Sequence, residues 1–227
     1  AAGKAYFELV PKLGNTTDFK ASLAAIKTDG MSAELGKSLG KGMVKGLAAL
    51  GIGKLIADTI ADSLKAYADY EQLVGGVETL FKDSADVVEK YAANAYKTAG
   101  LSANEYMETV TSFSASLISS LGGDTKKAAE YGNRAITDMS DNANKMGTDM
   151  SLIQSAYQGF AKQNYTMLDN LKLGYGGTKT EMQRLLKDAE KLSGVKYDIK
   201  NLGDVYDAIH AIQTDLGITG TTAQEAM

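Results

Sequence analysis

The chain has 227 residues, 44% of them hydrophobic and 23% charged, with 24 glycines, one proline, one histidine and no cysteine. That length can bury a core, while the missing cysteine excludes disulfide scaffolds, thiol catalysis and cysteine zinc sites, and the lone histidine excludes two-histidine metal motifs. A net charge of −4 with only two arginines, Arg134 and Arg184, argues against sequence-specific nucleic-acid binding, which uses a basic, arginine-rich surface.

So little proline beside so much glycine predicts helices ended by tight glycine turns. Residues 5–11, Ala-Tyr-Phe-Glu-Leu-Val-Pro, suit a short extended arm closed by Pro11. A short helix is expected from Asp18 through Phe19, Leu23 and Ile26, making residues 1–30 an arm-and-helix unit. Seven glycines follow between Gly30 and Gly53, and the pairs Gly36/Gly40 and Gly42/Gly46 have the spacing that lets helices approach closely.

Met43–Ala61 invites a membrane reading, which Lys45, Lys54 and Asp58 oppose, since each would cost roughly 2.5–3.5 kcal/mol at mid-bilayer. Lys54, Asp58, Asp62, Lys65 and Asp69 recur on one helical face; Ile52, Ile56, Thr59, Ile60, Leu64 and Tyr67 recur on the other. Residues 31–75 therefore read as a Gly/Ala-rich amphipathic segment. Gly36, Gly40, Gly42, Gly46, Ile52, Ile56, Ile60 and Leu64 are its candidate oligomer or membrane contacts.

Residues 76–220 read as a compact multi-helix domain, so the fold class is all-α. Asp83 and Asp86 bracket a helix carrying Val87, Val88, Tyr91, Ala92 and Ala95 to Gly100. Ser102-Ala-Asn-Glu105 is a capping box, opening a helix with Met107, Val110, Ser114, Leu117, Ile118 and Leu121 inward. Asp124 starts a helix with Ala128, Tyr131, Ala135, Met139 and Met146, stopped by Gly147. Thr148 or Asp149 starts the next, with Ile153, Ala156, Tyr157 and Phe160. A looser stretch, 164–177, precedes the capping box Thr178-Lys-Thr-Glu181, whose helix turns Met182, Leu185, Leu186, Ala189 and Leu192 inward, and the run Gly174–Thr180 reads as a hinge before that helix. An extended connector at Val195–Ile199 precedes a helix with Val205, Ile209, Ile212 and Leu216 inward. A third box, Thr222-Ala-Gln-Glu225, makes residues 221–227 the expected start of a further helix in a longer chain.

Chemistry is sparse in this pattern. His210 is the one candidate general base, and Asp207, three residues earlier on the same helix, is its expected partner. With no Gly-x-Ser-x-Gly elbow and no second histidine, the expected role is a surface or boundary residue. The Gly174–Thr180 run departs from a phosphate loop, because Thr178 separates Gly177 from Lys179 and no apolar strand precedes it. Asp138, Asp141 and Asp149 lack calcium-loop spacing and read as solvated charges. No catalytic residue, metal ligand or cofactor site is expected.

Three longer strings carry a resemblance. Tyr70-Glu-Gln-Leu-Val-Gly-Gly-Val-Glu-Thr-Leu-Phe81, the run from Gln163 to Met182, and Gly217-Ile-Thr-Gly-Thr-Thr-Ala-Gln-Glu-Ala226 resemble segments of tail tape measure proteins of phages and prophages of Gram-positive bacteria. The opening Ala5–Pro11 is similar to their start, and the resemblance is densest over residues 67–226. It implies a non-enzymatic virion protein of the phage tail, present in host cytoplasm during assembly, that occupies the tube lumen in several copies and sets tail length. The implied partners are further copies of itself, tail assembly chaperones, and tube and tip proteins, with host-membrane contact during genome ejection.

A ruler of continuous helix extends by about 1.5 Å per residue. Glycine turns interrupt these helices too often for that, so this segment is expected to fold as a head, with the measuring helix elsewhere. Two other classes stay in view. One is a membrane-active helical protein in which residues 43–64 insert to aid genome delivery; the other is a cell-wall hydrolase segment using Asp207 and His210.

Overall fold

A computed structural model of the chain describes residues 54–222. The expected arm at 5–11, the helix from Asp18, the contact candidates Gly36, Gly40, Gly42, Gly46 and Ile52, and residues 223–227 lie outside that range. Ile56, Ile60 and Leu64 lie in the first described helix, at positions where only the course of the backbone is described.

All regular structure among the described residues is helical: α1 (Lys54–Phe81), α2 (Ala85–Thr98), α3 (Ala103–Ser120), α4 (Thr125–Met146), α5 (Met150–Ala161), α6 (Lys179–Ser193) and α7 (Leu202–Asp215). Short 3-10 turns at Lys82–Ser84 and Leu168–Leu171 join them. Helix α1 runs without a break through Gly75 and Gly76, where the sequence reading places a segment boundary. The packing described below belongs to the unit from Ala66 onward.

Local chemistry explains most helix ends. Ser102 accepts the Glu105 N–H at 3.2 Å while Glu105 Oε2 accepts the Ser102 N–H at 2.8 Å, so two first-turn donors are satisfied reciprocally. Those bonds hold the Glu105 carboxyl below its usual range. Asp124, Asp149, Thr178 and Asn201 cap α4, α5, α6 and α7 with one side-chain bond each. Gly147 ends α4 in the left-handed region, at φ +61°, where a Cβ would be strained. Replacing Ser102 by alanine is expected to lower stability by about 1 kcal/mol, read by urea denaturation; an unchanged midpoint would show the box to be idle.

Helices α3 and α4 form the centre: they pack on each other, and each touches α2, α5 and α7. Helix α6 packs principally on α7. An aromatic seam ties the layers. Phe113 of α3 meets Tyr206 of α7 edge-on at 5.5 Å, Tyr206 lies 5.0 Å from Tyr157 of α5, and Phe160 stacks on Tyr165 at 6.0 Å. Each edge-on or offset pair adds about 0.5–1.5 kcal/mol beyond the area it buries. Val77 and Phe81, at the end of α1, are fully buried in the same core.

The structure corrects two inward assignments. Leu192 and Leu216, expected inside, are 49% and 51% exposed, because each sits in the last turn of its helix or just beyond it, past the reach of the packed neighbour. The looser stretch 164–177 is packed over its first part: Tyr165, Leu168, Leu171 and Leu173 are buried, and the 3-10 turn packs on α5 and α4. Residues 195–198 form a connector without regular structure, and Ile199 begins a turn. Here Ser193 Oγ accepts the Val195 N–H and the Tyr197 hydroxyl, and Asp204 accepts the Asp198 N–H.

Candidate functional site

The densest polar chemistry in the described residues lies where α4 faces α7. Arg134, Asp138, Asp141 and Asn142 recur on one side of α4, and Asp207, His210 and Gln213 recur on the facing side of α7. Helical spacing explains both stripes, since residues three and four apart share a face. Asp138, Asp141, Asn142 and Gln213 are buried.

The pairings differ from those expected on one helix. His210 Nδ1 lies 2.9 Å and 3.0 Å from the two Asp138 carboxylate oxygens, so the ring donates a forked hydrogen bond across the interface. Asp207, the expected partner of His210, instead bonds Arg134, whose guanidinium also lies 4.6 Å from the Tyr131 ring centroid. Below them Gln213 Nε2 donates to the Asp138 carbonyl, and Asn142 Nδ2 donates to Gln213 Oε1 and to the Leu171 carbonyl. These bonds tie α4, α7 and the 3-10 turn together.

Asp138 and Asp141 are therefore not the solvated charges that their spacing suggests. Burial pushes the Asp138 carboxyl above its usual range, against the opposing pull of His210 and Arg134; nearby Asp141 adds to the rise. Asp149 is the exposed one, held below the usual carboxylate range by its bonds to Ser151 at the start of α5. The buried Tyr157 hydroxyl has no hydrogen-bond partner within the protein, and burial, with Asp138 nearby, raises its ionisation well above the ordinary tyrosine value.

A general base acts on a positioned nucleophile or substrate proton. His210 Nδ1 is bonded to Asp138, and Ser140 Oγ, on the same helix as Asp138, donates to the Ala99 carbonyl, so among the described residues no hydroxyl nucleophile is paired with the ring. Two open depressions occur nearby in the unit. One, of about 400 Å³, is lined by Ser116, Ser119, Phe160, Gln163, Lys200 and Leu202; the other, of about 460 Å³, is lined by Asp69, Gln72, Leu73, Asn104, Glu108 and Thr111. Neither holds the α4–α7 polar residues. No cluster of metal-ligating side chains is found among the described residues.

The glycine run before α6 is also occupied by its own side chains. Glu181 Oε2 accepts the Gly176 N–H at 3.1 Å, Arg184 donates to the Gly174 carbonyl at 2.7 Å and to Glu181, and its guanidinium lies 4.3 Å from the Tyr175 ring centroid. Tyr175 donates to Asp188, and burial together with that carboxylate pushes its hydroxyl up to about 12. A helix N-terminus attracts an anion. Here the nearby anion is Glu181, whose carboxylate takes the Gly176 amide and Arg184. Thr178 and Glu181 make half of the expected capping box, because the Glu181 carboxylate turns to Gly176 and Arg184.

The polar interface escaped the sequence reading because each stripe, taken alone, looks like a solvated helix face. The available signal was complementarity: Arg134, Asp138 and Asn142, at four-residue steps on α4, match Asp207, His210 and Gln213, at three-residue steps on α7. No family model, curated protein or solved structure matches the chain. Among the described residues no helix is long and apolar enough to cross a membrane.

Proposed function

We propose that this chain is a segment of a phage tail tape measure protein, a structural component that assembles in the tail and sets its length. The observation that carries the reading is the likeness of three long strings, at residues 70–81, 163–182 and 217–226, to segments of that family. The all-helical fold is compatible with it. The His210–Asp138 bond and the Gln213 and Asn142 bonds tie α4 to α7, as suits a structural role. In this reading the folded unit is a head that docks among tail proteins, several copies share a tube, and tail assembly chaperones hold the chain beforehand.

Tail assembly without the chain tests this directly. Deleting the coding sequence in the virus or prophage that carries it is expected to abolish tails of normal length, as seen by electron microscopy. Tails of wild-type length in the deletion strain would overturn the proposal.

A further inference from the structure

After α7 the chain folds back onto the bundle. Gly217, at φ +64°, and the Ile218 N–H bonded to the Gln213 carbonyl at 2.8 Å close the helix, and Ile218 is buried. The Gly220 N–H then donates to Asp141 Oδ2 at 2.6 Å, and the Thr222 N–H donates to Asp141 Oδ1 at 2.8 Å. Asp141 itself is 1% exposed. A helical turn opens at Thr221 and Thr222, and Ser140 Oγ lies 3.4 Å from Thr222 Oγ1.

First-turn amides have no acceptor within their own helix, and an aspartate carboxylate is among the groups best suited to supply one. Usually that residue precedes the helix in sequence. Here it projects from α4, so one buried carboxylate both ends the return loop and starts the next turn. Among the described residues, the other ties between this segment and the α2–α7 bundle include the apolar packing of Ile218 and the Ser140–Thr222 hydroxyl pair.

We propose that Asp141 is a latch that fixes the direction in which the chain leaves the bundle, and that residues 217–222 open and close as a unit of their own. With the carboxylate engaged, the turn at Thr221 is held against α4. With it disengaged, the segment swings free while α2–α7 stay packed. This is independent of the tape measure reading, since it rests on the hydrogen bonds alone.

Amide hydrogen exchange on the whole chain, resolved by NMR, tests the latch. Asp141→Ala is expected to speed exchange at Gly220 and Thr222 by roughly tenfold or more, while the Ile136, Ile153 and Tyr206 amides change by less than about threefold. Asp141→Asn keeps the shape and one carbonyl acceptor, so it is expected to release one of the two amides, and it decides the matter should the alanine variant not fold. Unchanged exchange at both amides, or an equal rise in every helix, would overturn the proposal.

Discussion

Replacing Gly177 by alanine is expected to lower stability by about 3 kcal/mol, more than most single substitutions. A Cβ at this position would stand 2.1 Å from the Thr166 carbonyl oxygen and 2.9 Å from its carbon. Both are backbone atoms, so no rotamer change relieves the contact, and the 164–171 segment has to move off the loop before α6. That segment carries Leu168 and Leu171 into the core, so the strain reaches α5 and α4. In a unit of this size the midpoint of thermal unfolding is expected to fall by roughly 6–12 °C. Gly174 is the matched control. It has no heavy atom within 4 Å of an added Cβ but sits at φ +85°, so alanine there is expected to cost about 1 kcal/mol through backbone strain alone. Equal losses at the two positions would show that close approach is not what selects glycine at 177.

His210→Ala is expected to cost about 2–3 kcal/mol near neutral pH and progressively less as the solution is made acidic. Removing one partner of a buried pair leaves the other charge uncompensated, which typically costs 3–5 kcal/mol; the figure here is lower because the His210 side chain is 36% exposed and water can partly replace it. The sign of the pH effect follows from Asp138. Its carboxyl is raised in the folded chain by burial, with His210 and Arg134 opposing and Asp141 reinforcing. The folded state therefore holds the Asp138 proton at a pH where the unfolded chain has released it, and this contribution favours folding as pH falls through that window. Taking away His210 removes the largest opposing cause, so the carboxyl rises further and the window widens upward. Urea denaturation of the variant between pH 8 and pH 5 checks this. A loss that grows toward acid would contradict the assignment, and Asp138→Asn placed in the His210→Ala background is expected to recover much of the lost stability.

Much of the helical order was legible before any tertiary structure. Asp124, Asp149 and the Ser102 box mark helix starts because the chemistry of capping is local: a short polar side chain meets donors two or three residues away. Gly147 marks a stop for the same kind of reason. The inward face of α5, with Ile153, Ala156, Tyr157 and Phe160, follows from helical spacing and is buried as expected. By contrast, Tyr106 and Phe113 of α3, absent from the expected inward set, are buried beside Val110 and Leu117 and widen that face, since α3 is central and is covered on more than one side.

Composition and local spacing thus determined the all-helical class and most helix starts and stops, and they excluded cysteine chemistry and two-histidine metal sites. Those properties depend on residue counts and on atoms a turn apart. Tertiary structure alone decided the partners of the charged groups: His210 with Asp138 rather than Asp207, Arg134 with Asp207, and Asp141 with the amides of Gly220 and Thr222. A polar stripe on one helix is the same string of letters whether water or a second helix faces it. Only the packing of α4 against α7 and the returning chain buries Asp138 and Asp141, and burial turns ordinary surface charges into ties between the parts of this bundle.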